Sequence, residues 1–176
     1  AAADAAAAAA QRLDVSLSGA PQAVALRVFR AYLKEWKRCL QSRSASEINS
    51  HTGKIATVSY VECHDNIRPL LKMLKKGTAP PDVVEHAVQI ARHLVEKEYV
   101  KANDAYLMLA IGNAAWPMGV TMVGIHERAG RSKLYTDKVA HILNDETQRK
   151  YVQAIKRIIT FAQSRFETTP SRMVRG

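Results

Sequence analysis

The chain has 176 residues, of which 47% are hydrophobic and 24% charged, and its formal net charge is +10. This length and apolar content suffice for one folded domain with a core, and they exclude a largely disordered chain. The positive charge indicates an anionic partner such as RNA or an acidic protein surface, although a merely soluble basic surface also explains it. No apolar stretch reaches the ~20 residues that span a bilayer, so we expect no membrane association.

The chain opens with an alanine-rich run, A-A-A-D-A-A-A-A-A-A. Alanine favours helix, but the run fits low-complexity sequence equally well, and it lacks the positive leader and strongly apolar core of a signal peptide. We therefore expect residues 1–20 to be a low-complexity or flexible segment without a functional role. A single helical domain is expected to occupy residues 21–167, followed by a frayed, flexible tail over residues 168–176.

The first half of the domain shows two segments with the apolar spacing of amphipathic helices. The first helix is predicted from about Pro21 to Ser42. Residues 44–53 are rich in Ser, Asn and Gly and are expected to form a loop. A second helix is predicted over residues 54–76, with a kink or a break near Asn66 because Pro69 lies inside it.

Three further helices follow in the second half. The third is predicted to begin at Pro80-Pro81-Asp82 and to end near Lys97, and the fourth to span residues 99–111. The fifth begins at Asn144 or Asp145, where Asp145 and Gln148 are typical of a capping box. Together these segments predict an all-α bundle of about five helices with a long loop between helices four and five.

The residues that carry most enzyme chemistry form no recognisable arrangement. Cys39 and Cys63 are the only cysteines, they form no C-x-x-C pair, and the six histidines show no ligand spacing. We therefore expect no metal site and no cofactor. No nucleophile stands in a recognisable base or elbow context, so we expect no catalytic residues and a non-catalytic protein. Nothing suggests secretion, and reduced, buried thiols in a nuclear or cytosolic protein are expected.

The stretch from Gly112 to Tyr135 is the most informative part of the chain. Its glycines and Pro117 disfavour helix, and its length exceeds the ~2–8 residues typical of links between helices. Loops of this length are usually disordered or functional. Residues 120–125 contain enough β-branched side chains to be interpreted as a strand. Because the chain offers no partner strand, we expect an extended loop instead.

This stretch combines apolar side chains with a cationic end, and each feature has two interpretations. The glycines fit turn geometry or close approach to a partner, and Trp116 fits the core or a partner contact. The cations fit a solvated cluster or contacts with phosphate or acidic protein. We interpret the stretch as a partner-binding loop whose predicted site residues are Gly112, Asn113, Trp116, Pro117, Gly119, Val120, Thr121, Val123, Gly124, Ile125, His126, Arg128, Arg131 and Lys133.

Several segments of the second half resemble the pre-mRNA-splicing factor 18 family. They are E-Y-V-K-A-N-D-A-Y-L (98–107), I-G-N-A-A-W-P (111–117), G-V-T-M-V-G-I-H (119–126), H-I-L-N-D-E-T-Q-R-K-Y (141–151) and I-K-R-I-I-T (155–160). The resemblance is strong from Glu98 onward and looser before it. Two positions depart from the family pattern, because Ala115 stands where members often have proline and Glu127 brings a negative charge into the loop.

The resemblance implies a nuclear splicing factor that acts in the second step, exon ligation, by helping to hold the 3′ splice site at the RNA active centre. Such a protein supplies positioning while RNA and its metal ions supply the chemistry. The family's helical domain binds a zinc-knuckle second-step factor, and its loop, matched here by residues 112–133, reaches into the large central scaffold protein of the spliceosome. Spliceosomal RNA is expected nearby. Lys97 and Lys101 match the motif region and mark a possible partner-binding helix face.

The charge alone leaves an alternative open. A basic helical module that binds RNA by itself, or that scaffolds a ribonucleoprotein, has the same composition. It predicts tight and steeply salt-dependent binding to naked RNA.

Overall fold

The computed structural model of the protein describes residues 11–112 and 145–175. Within these ranges the chain is helical and contains no strand, which confirms the all-α prediction. Six α-helices and a terminal 3-10 turn are present in the described residues: α1 Pro21–Gln41, α2 Ala45–Asn49, α3 His51–Lys76, α4 Pro81–Val95, α5 Tyr99–Ile111, α6 Glu146–Arg165, and the turn Pro170–Arg172.

The five longer helices form the bundle, and each packs against at least two neighbours. Helix α1 packs between α3 and α4, α5 packs between α4 and α6, and α6 completes the bundle against α3. Their apolar stripes meet in one core that includes the fully buried Phe29, Ile67, Ile90, Leu94 and Ile155. Burial of each such side chain stabilises the fold by about 1.5–3 kcal/mol, so packing rather than helix propensity holds the bundle together.

Two buried tyrosines tie helices together through their hydroxyl groups. The Tyr32 hydroxyl donates to the carbonyl oxygen of Leu94 at 2.9 Å, which joins α1 to α4. The Tyr99 hydroxyl lies 3.1 Å from the carbonyl oxygen of Ala162 and also contacts that of Phe166, which joins α5 to the end of α6. Burial raises the pKa of both tyrosines, so both hydroxyls remain protonated donors.

The segment 44–53, predicted to be a loop, instead contains α2 and the start of α3. The Ser44 hydroxyl accepts from the Glu47 backbone nitrogen at 3.3 Å, and the Glu47 carboxylate accepts from the Ser44 nitrogen at 2.7 Å. Ser50 then caps α3 by accepting from the Gly53 nitrogen at 3.0 Å. Serine favours both turns and helix caps, so composition alone misassigned these residues, whereas S-x-x-E is the capping-box signature.

Helix α3 continues without interruption through Pro69, so of the predicted kink or break near Asn66, the break does not occur. Proline removes one backbone donor, but Ile67 and Leu70 beside it are fully buried. Tertiary packing therefore outweighs the local penalty of the proline. The helix ends at Gly77 in the left-handed conformation with φ 71°, which glycine adopts readily at helix ends.

Residues 11–20 are part of the folded domain rather than a flexible segment. Leu13, Val15 and Leu17 are half-buried against the core, while the residues between them are exposed. The Arg27 guanidinium donates to the carbonyl oxygens of residues 16 and 18 at 2.6 and 3.0 Å. We call residues 11–18 the N-terminal strap. Its alternation of apolar and polar residues is the period of an extended chain.

The C-terminal residues also pack onto the domain, which corrects the prediction of a frayed tail. The Gln163 side chain exchanges two hydrogen bonds with the backbone of Val174, at 3.0 and 2.8 Å. Arg172 pairs with Glu98 at 3.3 Å. Met173 and Val174 lie partly buried against the core. The folded domain therefore extends from the strap to about Val174.

Candidate partner-binding site

Of the predicted loop residues, the structure describes Gly112. This glycine is buried and ends α5 with φ 80° and ψ 167°, a backbone conformation that side-chain-bearing residues rarely adopt. A glycine is therefore required where the chain leaves α5. The other predicted loop residues lie outside the described residues: Asn113, Trp116, Pro117, Gly119, Val120, Thr121, Val123, Gly124, Ile125, His126, Arg128, Arg131 and Lys133.

Gly112 and Asp145, the described residues on either side of positions 113–144, lie at the same end of the bundle. Helices α4 and α5 pack closely and are joined by a turn of three residues, so the end of α5 lies near the start of α4. Buried Tyr151 lies close enough to two carboxylates for both to affect its pKa. They belong to Asp145, at the start of α6, and to Asp82, at the start of α4. Burial first, and then these two charges, raise the pKa of Tyr151 to about 12. The start of α6 therefore lies beside the same end of α4.

The two helices that carry these connections are fixed to each other. The Lys156 ammonium of α6 donates to the Asn103 side-chain oxygen of α5 at 2.5 Å and lies 5.6 Å from the ring centroid of Tyr106. Asp145 caps α6 by accepting from the Gln148 backbone nitrogen at 3.3 Å, as predicted. Helices α5 and α6 therefore form a rigid base at the two ends of residues 113–144.

The structure separates the two lysines that were predicted to share a partner-binding face. The Lys97 ammonium donates to the carbonyl oxygens of Gln11 and Glu167 at 3.2 and 3.1 Å. It thereby ties the N-terminal strap and the C-terminal segment to the turn between α4 and α5. Lys101 is exposed on α5. Lys97 therefore has a structural position, whereas Lys101 lies where a partner can reach it.

Helix α5 also exposes apolar side chains that were not predicted to form a surface. Val100, Leu107 and Met108 are exposed, and their spacing places them with Lys101 on one side of the helix. We call these four residues the α5 outer face. Exposed apolar clusters next to a charge are typical of docking surfaces. The sequence did not reveal this one because α5 is apolar on nearly every side, so no single stripe distinguishes an inner face.

The described residues contain no metal-binding cluster, and their buried cysteine is unreactive. Within residues 11–112 and 145–175, no three His, Cys, Asp or Glu side chains gather where they could hold a metal ion. The buried Cys63 thiol lies 3.3 Å from the carbonyl oxygen of Ala154, and burial raises its pKa to about 12, which leaves it protonated and unreactive at neutral pH. In the same ranges no helix has both the length and the apolar content needed to cross a bilayer.

The chain matches known proteins over most of its length. The model of the Prp18 domain matches residues 26–168. A curated relative from Danio rerio, named Pre-mRNA-splicing factor 18, is 48% identical over 148 residues, which cover 84% of this chain and 43% of that protein. A relative of the same name from Schizosaccharomyces pombe is 35% identical over 138 residues, covering 78% of this chain and 40% of that protein.

A third relative of that name, from Saccharomyces cerevisiae, is 41% identical over 97 residues, covering 54% of this chain and 39% of that protein. The chain thus spans about two fifths of the length of these curated relatives. The Prp18 match begins within α1 and ends just beyond α6, so it includes all of the predicted loop. The chain belongs to the Prp18 domain family, whose curated members include the pre-mRNA-splicing factor 18 proteins.

Proposed function

We propose that this chain is the helical domain of a nuclear, non-catalytic pre-mRNA splicing factor that acts in exon ligation, the second step, by stabilising the docked 3′ splice site. The observation that carries the proposal is the match to the Prp18 domain over residues 26–168, together with relatives named Pre-mRNA-splicing factor 18. A protein in this role contributes by holding reactants in position, which requires a rigid body and binding surfaces rather than reacting side chains.

The loop of residues 112–133 is proposed to contact the large central scaffold protein of the spliceosome. Its apolar residues provide anchors for a pocket, and its cations Arg128, Arg131 and Lys133 fit acidic side chains or phosphate. Both ends of residues 113–144 are held by α5 and α6 at one end of the bundle. Anchoring at both ends limits the conformational entropy that binding must remove, which favours insertion of such a segment into a partner.

The zinc-knuckle second-step factor is proposed to bind a helical face of the bundle. The α5 outer face supports this proposal because it combines Val100, Leu107 and Met108 with the exposed Lys101. Apolar contacts with a charge at the edge are typical of protein interfaces. Lys97 contributes indirectly in this proposal, since it holds the turn from which α5 begins.

Independent RNA binding is the second candidate function. It is favoured by the row of exposed cations on α1 at Arg30, Lys34 and Lys37, and by the net charge of +10. Binding of single-stranded RNA usually adds aromatic side chains on which bases stack. Of the aromatic residues in this part of α1, Tyr32 is buried, and Trp36 stacks on Phe161 with 5.0 Å between ring centroids. The cations alone support weaker, salt-dependent binding, so this function ranks second.

The proposal is tested by splicing in a nuclear extract depleted of the endogenous factor. Three versions of the chain are added back: the intact chain, a chain lacking residues 120–131, and a control in which a Gly-Ser sequence of equal length replaces them. Lariat intermediate is expected to accumulate after depletion and to be converted to ligated exons by the intact chain. It is expected to persist with both altered chains, because the control keeps the connection length but not the contacts.

Each other outcome has a definite meaning. Equal loss of the first and second steps contradicts a second-step role. Full rescue by the chain without residues 120–131 moves the function from the loop to the helical faces. Normal splicing after depletion, together with tight and salt-dependent binding of naked RNA by the chain, favours the independent RNA-binding module.

A further inference from the structure

Helix α3 carries a second apolar stripe that the bundle does not use. Its inward stripe, with Cys63, Ile67 and Leu70, is fully buried in the core. On the outer side of its N-terminal half, Ile55 and Val58 are 54% and 55% exposed. The spacing of three residues places them next to each other on the helix surface. A helix that needed only one covered face would carry polar residues at these positions.

These side chains line a groove between α3 and α6. One part of it, about 440 Å³, is lined by Ile55, Val58, Ser59 and Arg157 among others, and the adjoining part is about 380 Å³. Ile55, Ser59 and Arg157 line both parts, which makes the groove continuous along α3. Each part has the size of a pocket that accepts apolar groups of a ligand or peptide.

The end of the groove that lies next to α1 is rigid because its aromatic residues are packed together. Trp36 of α1 stacks on Phe161 of α6 with 5.0 Å between ring centroids and an interplanar angle of 7°. Tyr60 of α3 packs edge-on against Trp36 at 5.5 Å. Three helices therefore hold this end of the groove in place, so binding there requires little reorganisation of the protein.

The charged side chains around the groove favour an acidic partner. The groove is lined by one carboxylate, Glu62, and it is paired with Arg157 at 2.8 Å. Lys54 lines the same part and is exposed. Next to the groove, the Arg43 guanidinium donates to the Gly53 carbonyl oxygen at 2.9 Å and to the Thr57 hydroxyl at 2.8 Å. The charge of Lys54 therefore remains to attract an anionic group, whereas the Glu47 carboxylate acts on Arg43 and offsets part of its charge.

We propose that the α3–α6 groove binds a short amphipathic helix of a partner protein whose apolar face is flanked by acidic residues. Apolar residues at i, i+3, i+4 and i+7 of such a helix would contact Ile55 and Val58, and its carboxylates would approach Lys54. The groove lies on α3, α6 and α1, whereas the proposed loop contact starts from the end of α5. The groove therefore provides a docking site whose existence does not depend on the second-step role.

The test uses the whole chain and a synthetic probe. The probe is a fluorescein-labelled helical peptide of about four turns, with leucines at i, i+3, i+4 and i+7 and glutamates on its other faces. Fluorescence anisotropy is expected to give saturable binding with a Kd of about 0.1 mM or lower. A matched peptide with lysines in place of the glutamates is expected to bind at least about tenfold more weakly.

Variants of the chain locate the binding site. Ile55→Asp is expected to weaken probe binding about tenfold or more, because it places a carboxylate in the apolar groove and repels the acidic probe. Lys54→Glu is expected to weaken it about threefold or more. Gln89→Asp is the control, since Gln89 is exposed on α4, which lines neither part of the groove, and the affinity of this variant for the probe is expected to be unchanged. Circular dichroism and thermal unfolding confirm that all three variants fold.

Three results would overturn the proposal. They are equal affinity of Ile55→Asp and the unaltered chain, equal affinity for the lysine and glutamate peptides, and no saturable binding at about 1 mM probe. A fourth result assigns the groove to another occupant. If sedimentation shows that the chain self-associates, and Ile55→Asp abolishes the association while Gln89→Asp does not, a second copy of this chain fills the groove.

Discussion

The partly buried carboxylate of Glu35 joins α1 to α6, and its removal tests how much this link stabilises the fold. Its two oxygens accept from Arg38 Nε at 2.8 Å and Nη2 at 2.6 Å, and one of them also accepts from Arg165 Nε at 3.0 Å. The Glu35 side chain is only 14% exposed. The pKa of Glu35 is lowered to about 2, and the hydrogen bonds from Arg38 make the largest contribution. The hydrogen bond from Arg165 also lowers it, whereas burial opposes the shift.

Because the pKa of Glu35 is lower in the folded state than in the unfolded state, the protein loses stability as the pH falls. The stabilisation is complete above the unfolded-state pKa of 4.5 and is lost as the pH falls toward about 2. A pKa lowered by that amount corresponds to at most about 3 kcal/mol. Solvent screens part of it, because the Arg38 side chain is 60% exposed. We therefore expect Glu35 to contribute about 1–2 kcal/mol at neutral pH.

Urea unfolding of Glu35→Gln and the unaltered chain at pH 7 and pH 3 measures this contribution. The variant is expected to be less stable by about 1–2 kcal/mol at pH 7, and the difference is expected to fall by more than half at pH 3. Glu85→Gln is the control, since Glu85 is exposed on α4, and it is expected to change stability by less than about 0.5 kcal/mol. Equal stability at pH 7, or a difference that is the same at both pH values, would refute the role given to Glu35.

Three further predictions concern the fold. Tyr99→Phe leaves carbonyl oxygens at the end of α6 without their donor and is expected to lower the free energy of unfolding by about 1–3 kcal/mol. Tyr106→Phe, on a half-buried ring, is expected to change it little, and equal effects of the two substitutions would contradict this prediction. Gly53→Ala places its Cβ atom 1.7 Å from a backbone oxygen of α2 and is expected to lower the free energy of unfolding by more than about 2 kcal/mol. Gly77→Ala is expected to lower it by about 1 kcal/mol, because the only strain there comes from the φ of 71°. Thermal unfolding that ranks the two variants the other way would contradict this prediction. Deletion of residues 1–18 removes three half-buried aliphatic side chains and is expected to destabilise by about 2 kcal/mol in urea, and an unchanged midpoint would show that the N-terminal strap adds nothing.

The long helices were predictable because their signals are local. Apolar spacing located α1, α4 and α6, and the start of α6 followed from Asp145 as its capping residue. Pro21 and Pro81 stand in the first turns of α1 and α4, where a missing backbone donor is harmless. The errors occurred where local and tertiary preferences compete. Pro69 should interrupt a helix by itself, but the buried face of α3 keeps that helix continuous.

The position of the strap could be decided only by the folded structure. The carbonyl oxygens that accept from Lys97 belong to Gln11 and Glu167, which lie 86 and 70 positions away in the sequence. No periodicity within a short window can relate such distant residues. Lys97 and Lys101 therefore look equivalent in the sequence, although the fold uses one as a structural link and leaves the other exposed.

By itself, the sequence determined the helical class and the main helices, because caps and apolar periods act over a few residues, and it predicted residues 112–133 as a partner-binding loop. Tertiary structure decided which apolar surfaces remain uncovered. Helix α3 has apolar residues on two sides and α5 on nearly all sides, and the pattern alone does not say which side a neighbour will cover. Ile55, Val58, Leu107 and Met108 remain exposed because no helix of the described residues covers them.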